Sequence, residues 1–278
     1  MKNIKQISGV VAKYGILILG AIMSLLPLIV IFLGSFKTKE EFNSTGPLTL
    51  PENWLNFDNY ITAFINGNML DGFMNTIFVL VFSILATILT GTMTAYVLSR
   101  FDFMAKKLVK GLFLFATLIP GVTMQVSTFQ IINGLGLFNT IWSSIVIFAG
   151  TDIIAIYIFL QYLDNISLSL DESAIMDGAS YLKVYRTIIM PLLKPAIVTV
   201  LIIKGVAIYN DFYTPFLYMP KTELQVISTS LFKFKGPYGT EWQVICAGIM
   251  VAVIPTLIIF LFLQRHIYSG FTQGAVKE

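Results

Sequence analysis

Reactive side chains are scarce in this sequence, and the charged ones stand in unusual surroundings. The chain has one cysteine, Cys246, and one histidine, His266. A single thiol cannot form an internal disulfide, and one imidazole cannot build a multi-ligand zinc site of the usual kind. No glycine-rich loop ends in Lys-Ser/Thr, and no Gly-x-Ser-x-Gly elbow occurs, so neither phosphate cradling nor serine-nucleophile chemistry is indicated. What remains is electrostatics and hydrogen bonding. Asp152 and Lys204 interrupt apolar runs, Asn210 and Asp211 follow one such run, and Gln125 lies in another with Thr123, Ser127, Thr128, Gln130 and Asn133. Between two further apolar runs, Leu168–Pro195 reads LSLDESAIMDGASYLKVYRTIIMPLLKP, with acids, bases, a glycine and two prolines.

The surroundings of these residues are those of a lipid-embedded chain. Of 278 residues, 56% are hydrophobic and 12% charged, about half the charged fraction of a soluble domain. Lys13 and Lys37 bound the uncharged run YGILILGAIMSLLPLIVIFLGSF. Its ~23 residues would reach ~34 Å as a helix, enough for a ~30 Å hydrocarbon core and too long for a signal-peptide apolar region. Five more spans are expected: one between Asp71 and Arg100, then about 111–131, 138–162 and 195–212, and finally Trp242–Gln264. Pro27, Pro120 and Pro255 fall inside spans, where kinks are tolerated. Residues 38–71 form an outer link with a short amphipathic piece, whose Phe57, Ile61, Phe64 and Ile65 could lie in the interface.

The basic residues set an orientation. Twelve of the 18 fall in one set of flanking segments: Lys2, Lys5, Lys13, Arg100, Lys106, Lys107, Lys110, Lys183, Arg186, Lys194, Arg265 and Lys277. The opposite set holds Lys37, Lys39, Lys221, Lys233 and Lys235. The positive-inside rule places the first set, both termini and the polar stretch in the cytoplasm. Counting from the cytoplasmic ends, Asp152 and Lys204 then lie ~16 Å and ~14 Å along consecutive spans. An unpaired charge there costs at least ~2.5–3.5 kcal/mol, so a contact between the two is expected. Asp211 is the rival partner for Lys204, although ~10.5 Å of helix rise separates them.

Ser169-Leu170-Asp171-Glu172 fits a capping box, with both acids also favoured by the positive end of a helix dipole. Gly178 supplies the permissive backbone of a helix end. The expected product is a helix of about two turns over 170–177, too short to be stable without a partner surface. Ala174 and Ala179 suit close approach. YLKVYRTIIMP forms a second amphipathic piece, redirected by Pro191 and Pro195. Read from composition alone, a helix lying on lipid headgroups is an equal alternative.

Glu172-Ser173-Ala174, followed by Gly178, Ile188 and Pro191, resembles the EAA loop of ABC importer permeases at full spacing, and Asp177-Gly178-Ala179 resembles the DGA of carbohydrate permeases. GSFKT (34–38), FDNY (57–60), LGLFNT (135–140), YNDF (209–212), GPYGTEW (236–242) and QRHIYSGFTQGAVK (264–277) extend the resemblance over nearly the whole chain. The pattern is similar to that of the second permease of maltose-type importers. Ser173, Met190 and Lys204 depart from it, as do Ser127 or Thr128 and Ser167 where proline is frequent.

The resemblance implies an all-α integral membrane fold of six transmembrane helices, the type I ABC importer permease architecture. It implies a segment 1–36 with the first span, an outer loop 37–71, a five-span core 72–264 enclosing a cytoplasmic coupling loop 164–194, and a tail 265–278. It implies a non-enzymatic permease subunit of a sugar or oligosaccharide importer in the bacterial cytoplasmic membrane. No cofactor is expected in this chain, ATP and Mg²⁺ belonging to partner subunits. The partners are a companion permease in a heterodimer, two ATPase subunits, an extracellular solute-binding protein, the lipid bilayer and the sugar, with no nucleic acid. Glu172, Ser173, Ala174, Asp177, Gly178 and Ala179 would contact an ATPase subunit. Lys235, Gly236, Pro237 and Tyr238 would approach the binding protein, and Asp152, Lys204, Asn210, Asp211 and Gln125 would line the pathway or pair within the membrane. A permease of the same fold for another solute and an ATP-independent secondary transporter are the alternatives.

Overall fold

The computed structural model describes residues 2–150, 152–236 and 239–275, with side chains at 1–12, 239, 263 and 265–278 left aside. The described residues are largely helical: α1 (Lys2–Phe36), α2 (Lys39–Ser44), α3 (Asp58–Asn66), α4 (Met69–Arg100), α5 (Lys106–Thr117), α6 (Gln125–Gly134), α7 (Ile141–Ala149), α8 (Ile153–Leu163), α9 (Leu168–Met176), α10 (Tyr181–Val184), α11 (Met190–Leu192), α12 (Lys194–Asn210), α13 (Tyr213–Tyr218), α14 (Ile227–Ser230) and α15 (Trp242–Ala275). A π-helical segment, Tyr185–Ile189, joins α10 to α11. A two-stranded antiparallel ladder pairs Lys235 with Thr240 and Gly236 with Gly239.

Among the described residues, three segments are long and apolar enough to cross a membrane unbroken: Lys13–Phe36, Met69–Arg100 and Trp242–Phe262. Each bent helix pair, counted as one span, brings the total to six. The expected spans at 111–131 and 138–162 are each met by a bent helix pair. α5 and α6 meet at 98° and α7 and α8 at 40°. Pro120 starts the first break with an extended backbone before the 3-10 turn Gly121–Met124, since proline offers no N–H to continue the ladder. Gly150 ends α7 with non-helical geometry, and Asp152 starts α8 as its N-cap. The fifth run begins at Lys194 and ends at Asn210, after a 70° bend from Tyr181–Leu192.

The chain forms two compact units, Met1–Leu70 with Ser230–Ile258, and Asp71–Thr229 with Ile259–Glu278. In the first, the end of α1 is tied down by polar bonds. Asn59 donates to the Ser35 and Lys37 carbonyls at 2.9 and 2.8 Å, satisfying acceptors that a helix end leaves open. Lys37 is buried, its ammonium donating to Thr45 Oγ1 and the Gly46 carbonyl at 2.9 Å each. Thr38 and Glu41 form a capping box on α2. Phe36 packs among Phe32, Trp54, Phe57 and Tyr60. Phe57, Ile61, Phe64 and Ile65 are exposed around α3, as the amphipathic reading expects. α1 itself leaves Ile16, Leu19 and Met23 uncovered, the surface of a helix whose solvent is lipid.

In the second unit, a core of Ala95, Tyr96, Leu98, Ile156, Phe159, Leu163, Val184, Tyr185, Ile189, Leu193 and Val200 joins the end of α4 to α8, the 181–192 segment and the start of α12. Gly91 lets α4 approach α8, because a Cβ there would stand 3.1 Å from the Phe159 ring. Thr92 Oγ1 and Tyr185 Oη share a buried hydrogen bond of 2.8 Å between α4 and the π segment.

Candidate functional site

α9 is built to be held on one side and open on the other. Its first turn differs from the expected capping box. The helix starts at Leu168, and Ser167 is the N-cap, accepting from the Ser169 N–H at 3.3 Å. Ser169 Oγ is shared with Ser167 Oγ at 2.8 Å, and Glu172 is exposed. The start lies two residues earlier because the preceding turn is pinned, Ile166 packing on the core while its carbonyl accepts from Arg100.

The other end follows the expectation for Gly178, whose φ is +85°. The Gly178 N–H donates to the Ile175 carbonyl and the Ala179 N–H to the Ala174 carbonyl, each at 2.9 Å. These are the paired bonds of a Schellman motif. Ala174 and Ala179 also pack against the core just described. Ser180 caps the next helix through the Lys183 N–H. In the expected second amphipathic piece, Val184, Tyr185 and Ile189 are buried. The π segment precedes Pro191, which has no N–H for an ordinary helical bond.

Asp171 has a role that its sequence position did not reveal. It is the buried residue of α9, and its Oδ2 accepts from Arg100 Nε at 3.0 Å, with each side chain only 7% exposed. Asp171 and Ala174, three residues apart, mark the inward face. Glu172, Ser173 and Asp177 lie outward, with Leu168, Leu170, Ile175 and Met176 also exposed, Met176 at 86%. Tyr181 and Leu182 continue this uncovered apolar surface. At 1.5 Å per residue, the 32 residues of α4 reach ~48 Å, well beyond a ~30 Å core.

Comparison with known proteins turns this arrangement into a family assignment. Residues 87–273, more than half of the chain, match the family described as "Binding-protein-dependent transport system inner membrane component". The chain belongs to this family. "Probable starch degradation products transport system permease protein AmyC" of Thermoanaerobacterium thermosulfurigenes is 33% identical over 275 residues, covering 96% of this chain and 98% of that protein. "Multiple sugar-binding transport system permease protein MsmG" of Streptococcus mutans is 32% identical, with 95% and 96% covered. "Arabinooligosaccharides transport system permease protein AraQ" of Bacillus subtilis is 29% identical, with 92% of each covered. A chain of the crystal structure of a bacterial ABC transporter involved in alginate import superposes with a TM-score of 0.82 at 22% identity, over 94% of this chain and 96% of that one. The fold is that of an ABC importer permease, a transport component and not an enzyme.

Elsewhere in the permease, the expected contact of Asp152 with Lys204 is present. Lys204 Nζ lies 2.8 Å from Asp152 Oδ2, with side chains 19% and 17% exposed. Asp152 is not inside a helix, however. Its Oδ1 caps α8 by accepting from the Ala155 N–H at 3.0 Å, so the carboxylate is shared between a cation and a helix dipole. Asp211 does not partner Lys204. Its two oxygens accept from the Thr214 N–H and hydroxyl at 2.9 Å each, which makes it a local cap. Asn210, the last residue of α12, is exposed and donates to the Val206 carbonyl. Gln125 opens α6 and accepts from the Tyr213 hydroxyl at 2.8 Å, joining the broken third span to α13. Lys235 and Gly236 are exposed in the first strand of the ladder. Pro237 and Tyr238 lie outside the described residues, as does the side chain of His266.

Proposed function

We propose that this permease is the membrane subunit of an ATP-driven importer of sugars or oligosaccharides, and that the outward face of α9 docks on an ATP-hydrolysing subunit. One observation carries the docking site: a nine-residue helix, fixed inward by Asp171 and Ala174, leaves Leu168, Leu170 and Met176 exposed on its other side. A helix of this length has no stability of its own. Its anchoring keeps an apolar face presented, and Glu172 and Asp177 add acceptors for cations or N–H groups of a partner. Closure of two ATPase subunits on ATP would move the docked helix and switch the pathway from inward- to outward-facing. ATP and Mg²⁺ belong to the partners, and this chain supplies the transduction.

The sugar substrate is supported by the relatives, whose names specify starch degradation products, arabinooligosaccharides and multiple sugars. The complete assembly would include a companion permease forming the other half of the pathway and a solute-binding protein on the outer side, near Lys235–Tyr238. The distribution of Lys and Arg supports a bacterial cytoplasmic membrane location with both termini inside. Gln125, Asn210 and the Asp152–Lys204 pair are the pathway candidates of this subunit.

The test is reconstitution of the whole complex with its binding protein. ATPase activity should rise only when the binding protein carries one of a panel of mono- and oligosaccharides. Met176→Arg should reduce co-purification of the ATPase subunit while leaving membrane insertion intact. Uptake by this chain alone, without ATP, would refute the reading.

A further inference from the structure

We propose that Arg100 is the positioning residue through which displacement of α9 reaches the membrane spans. The proposal rests on the reading that α9 docks on an ATP-hydrolysing subunit and adds how the motion leaves it. Arg100 is the last residue of α4. Its guanidinium uses all three nitrogens. Nε donates to Asp171 Oδ2 at 3.0 Å, Nη2 to the Ile166 carbonyl at 2.9 Å, and Nη1 to the Leu163 carbonyl at 3.4 Å and the neighbouring Ser99 Oγ at 3.5 Å. One planar group thereby joins the end of α4, the end of α8 and the inward face of α9.

This geometry is a joint and not only a charge pair. Arginine is a rigid fork with donors in fixed directions, whereas lysine is a point charge on a flexible stem. The joint is almost dry, with both side chains 7% exposed, so water cannot readily replace a broken bond. The core beneath it supplies packing, and the Thr92–Tyr185 bond gives a second buried tie from α4 to the 181–192 segment. Displacement of α9 must therefore carry the ends of α4 and α8 with it or break a buried, charge-assisted set of bonds. α4 begins at Met69 and crosses the membrane unbroken, so movement at Arg100 is transmitted along a single rigid element.

Arg100→Lys retains the charge and loses the fork. The test uses the complete complex in proteoliposomes, with three readouts: ATPase subunit bound per permease, ATPase rate stimulated by loaded binding protein, and solute imported per ATP hydrolysed. The docking face is untouched, so binding of the ATPase subunit should stay within about twofold of wild type. Solute imported per ATP should fall by about tenfold, the equivalent of one lost hydrogen bond to a charged group. If Arg100 serves folding alone, ATPase and uptake fall together with the amount of folded complex, and an unchanged ratio overturns the proposal. Failure of the wild-type permease to retain the ATPase subunit would instead refute the docking reading.

A second measurement holds if Arg100→Lys folds poorly. Cys246 is buried, so spin labels can be placed at Ser169→Cys on α9 and Met93→Cys on α4, both exposed positions. In the otherwise wild-type complex, their distance should stay constant within about 2 Å, the scale of small helix shifts, between nucleotide-free and vanadate-trapped states. A change of one helical turn, about 5 Å, would show that α9 moves independently of α4 and would overturn the joint.

Discussion

Two ion pairs organise the second unit, and they are built differently. Arg100–Asp171 is nearly dry and spans three elements through a guanidinium fork. Lys204–Asp152 is partly exposed and joins α12 to the start of α8 through a single ammonium, while its carboxylate also caps α8. The first pair fixes a distance, because several bonds in fixed directions must break together. The second lowers the cost of charges within the membrane. Its lysine can reorient on a flexible stem, and its carboxylate retains a helix N-terminus whether or not the lysine is present.

Breaking the first pair should have the largest effect. Arg100→Leu leaves Asp171 buried without its cation, and loss of one partner of a buried pair costs about 3–5 kcal/mol. Thermal unfolding of the purified permease complex should show the loss. In the second pair the two partners should be unequal. Asp152→Asn keeps an N-cap residue but strands Lys204, for which ~2.5–3.5 kcal/mol is expected on insertion scales. Lys204→Met strands Asp152 at the N-terminus of α8, whose dipole offsets up to ~2 kcal/mol in a partly buried setting, so it should be milder. The double substitution should recover most of the Asp152→Asn loss in a double-mutant cycle, and equal single effects with simple additivity would contradict this asymmetry. The smallest effect belongs to Gly178→Val. A Cβ there meets nothing within 4 Å, so the cost is backbone strain of about 1–2 kcal/mol in the left-handed region. It should reduce sugar-stimulated ATPase activity, measured on the complete complex, more than it reduces membrane insertion.

The sequence made these regions legible to different depths. Spacing and composition located α9, its glycine terminus and the depth match of Asp152 with Lys204, because helix rise and the cost of a lipid-embedded charge are local arithmetic. They marked Pro120 as a tolerated kink but not the size of its bend, and they did not locate the break in the fourth span. A 98° turn at Pro120 and a proline-induced kink have the same sequence signature, and the difference lies in packing against distant residues. The start of α9 was displaced for a related reason. Ser167 and Ser169 are equally good caps, and the choice falls to Arg100, 66 residues before the Ile166 carbonyl it holds. Asp171 looked like a dipole-compensating acid because its cation is far away in sequence. An acid at the inward helix face, three residues from the small Ala174, was the available signal for burial.

We propose that the outward face of α9 meets an ATP-hydrolysing subunit. The most direct test is photocrosslinking in intact cells, with a photoreactive residue at position 176 on that face and, as control, at position 61 on α3. An adduct of the permease with the ATPase subunit is expected from position 176, its yield changing when nucleotide is trapped, and none from position 61. The absence of any ATPase adduct from position 176 in a complex that imports solute would contradict it.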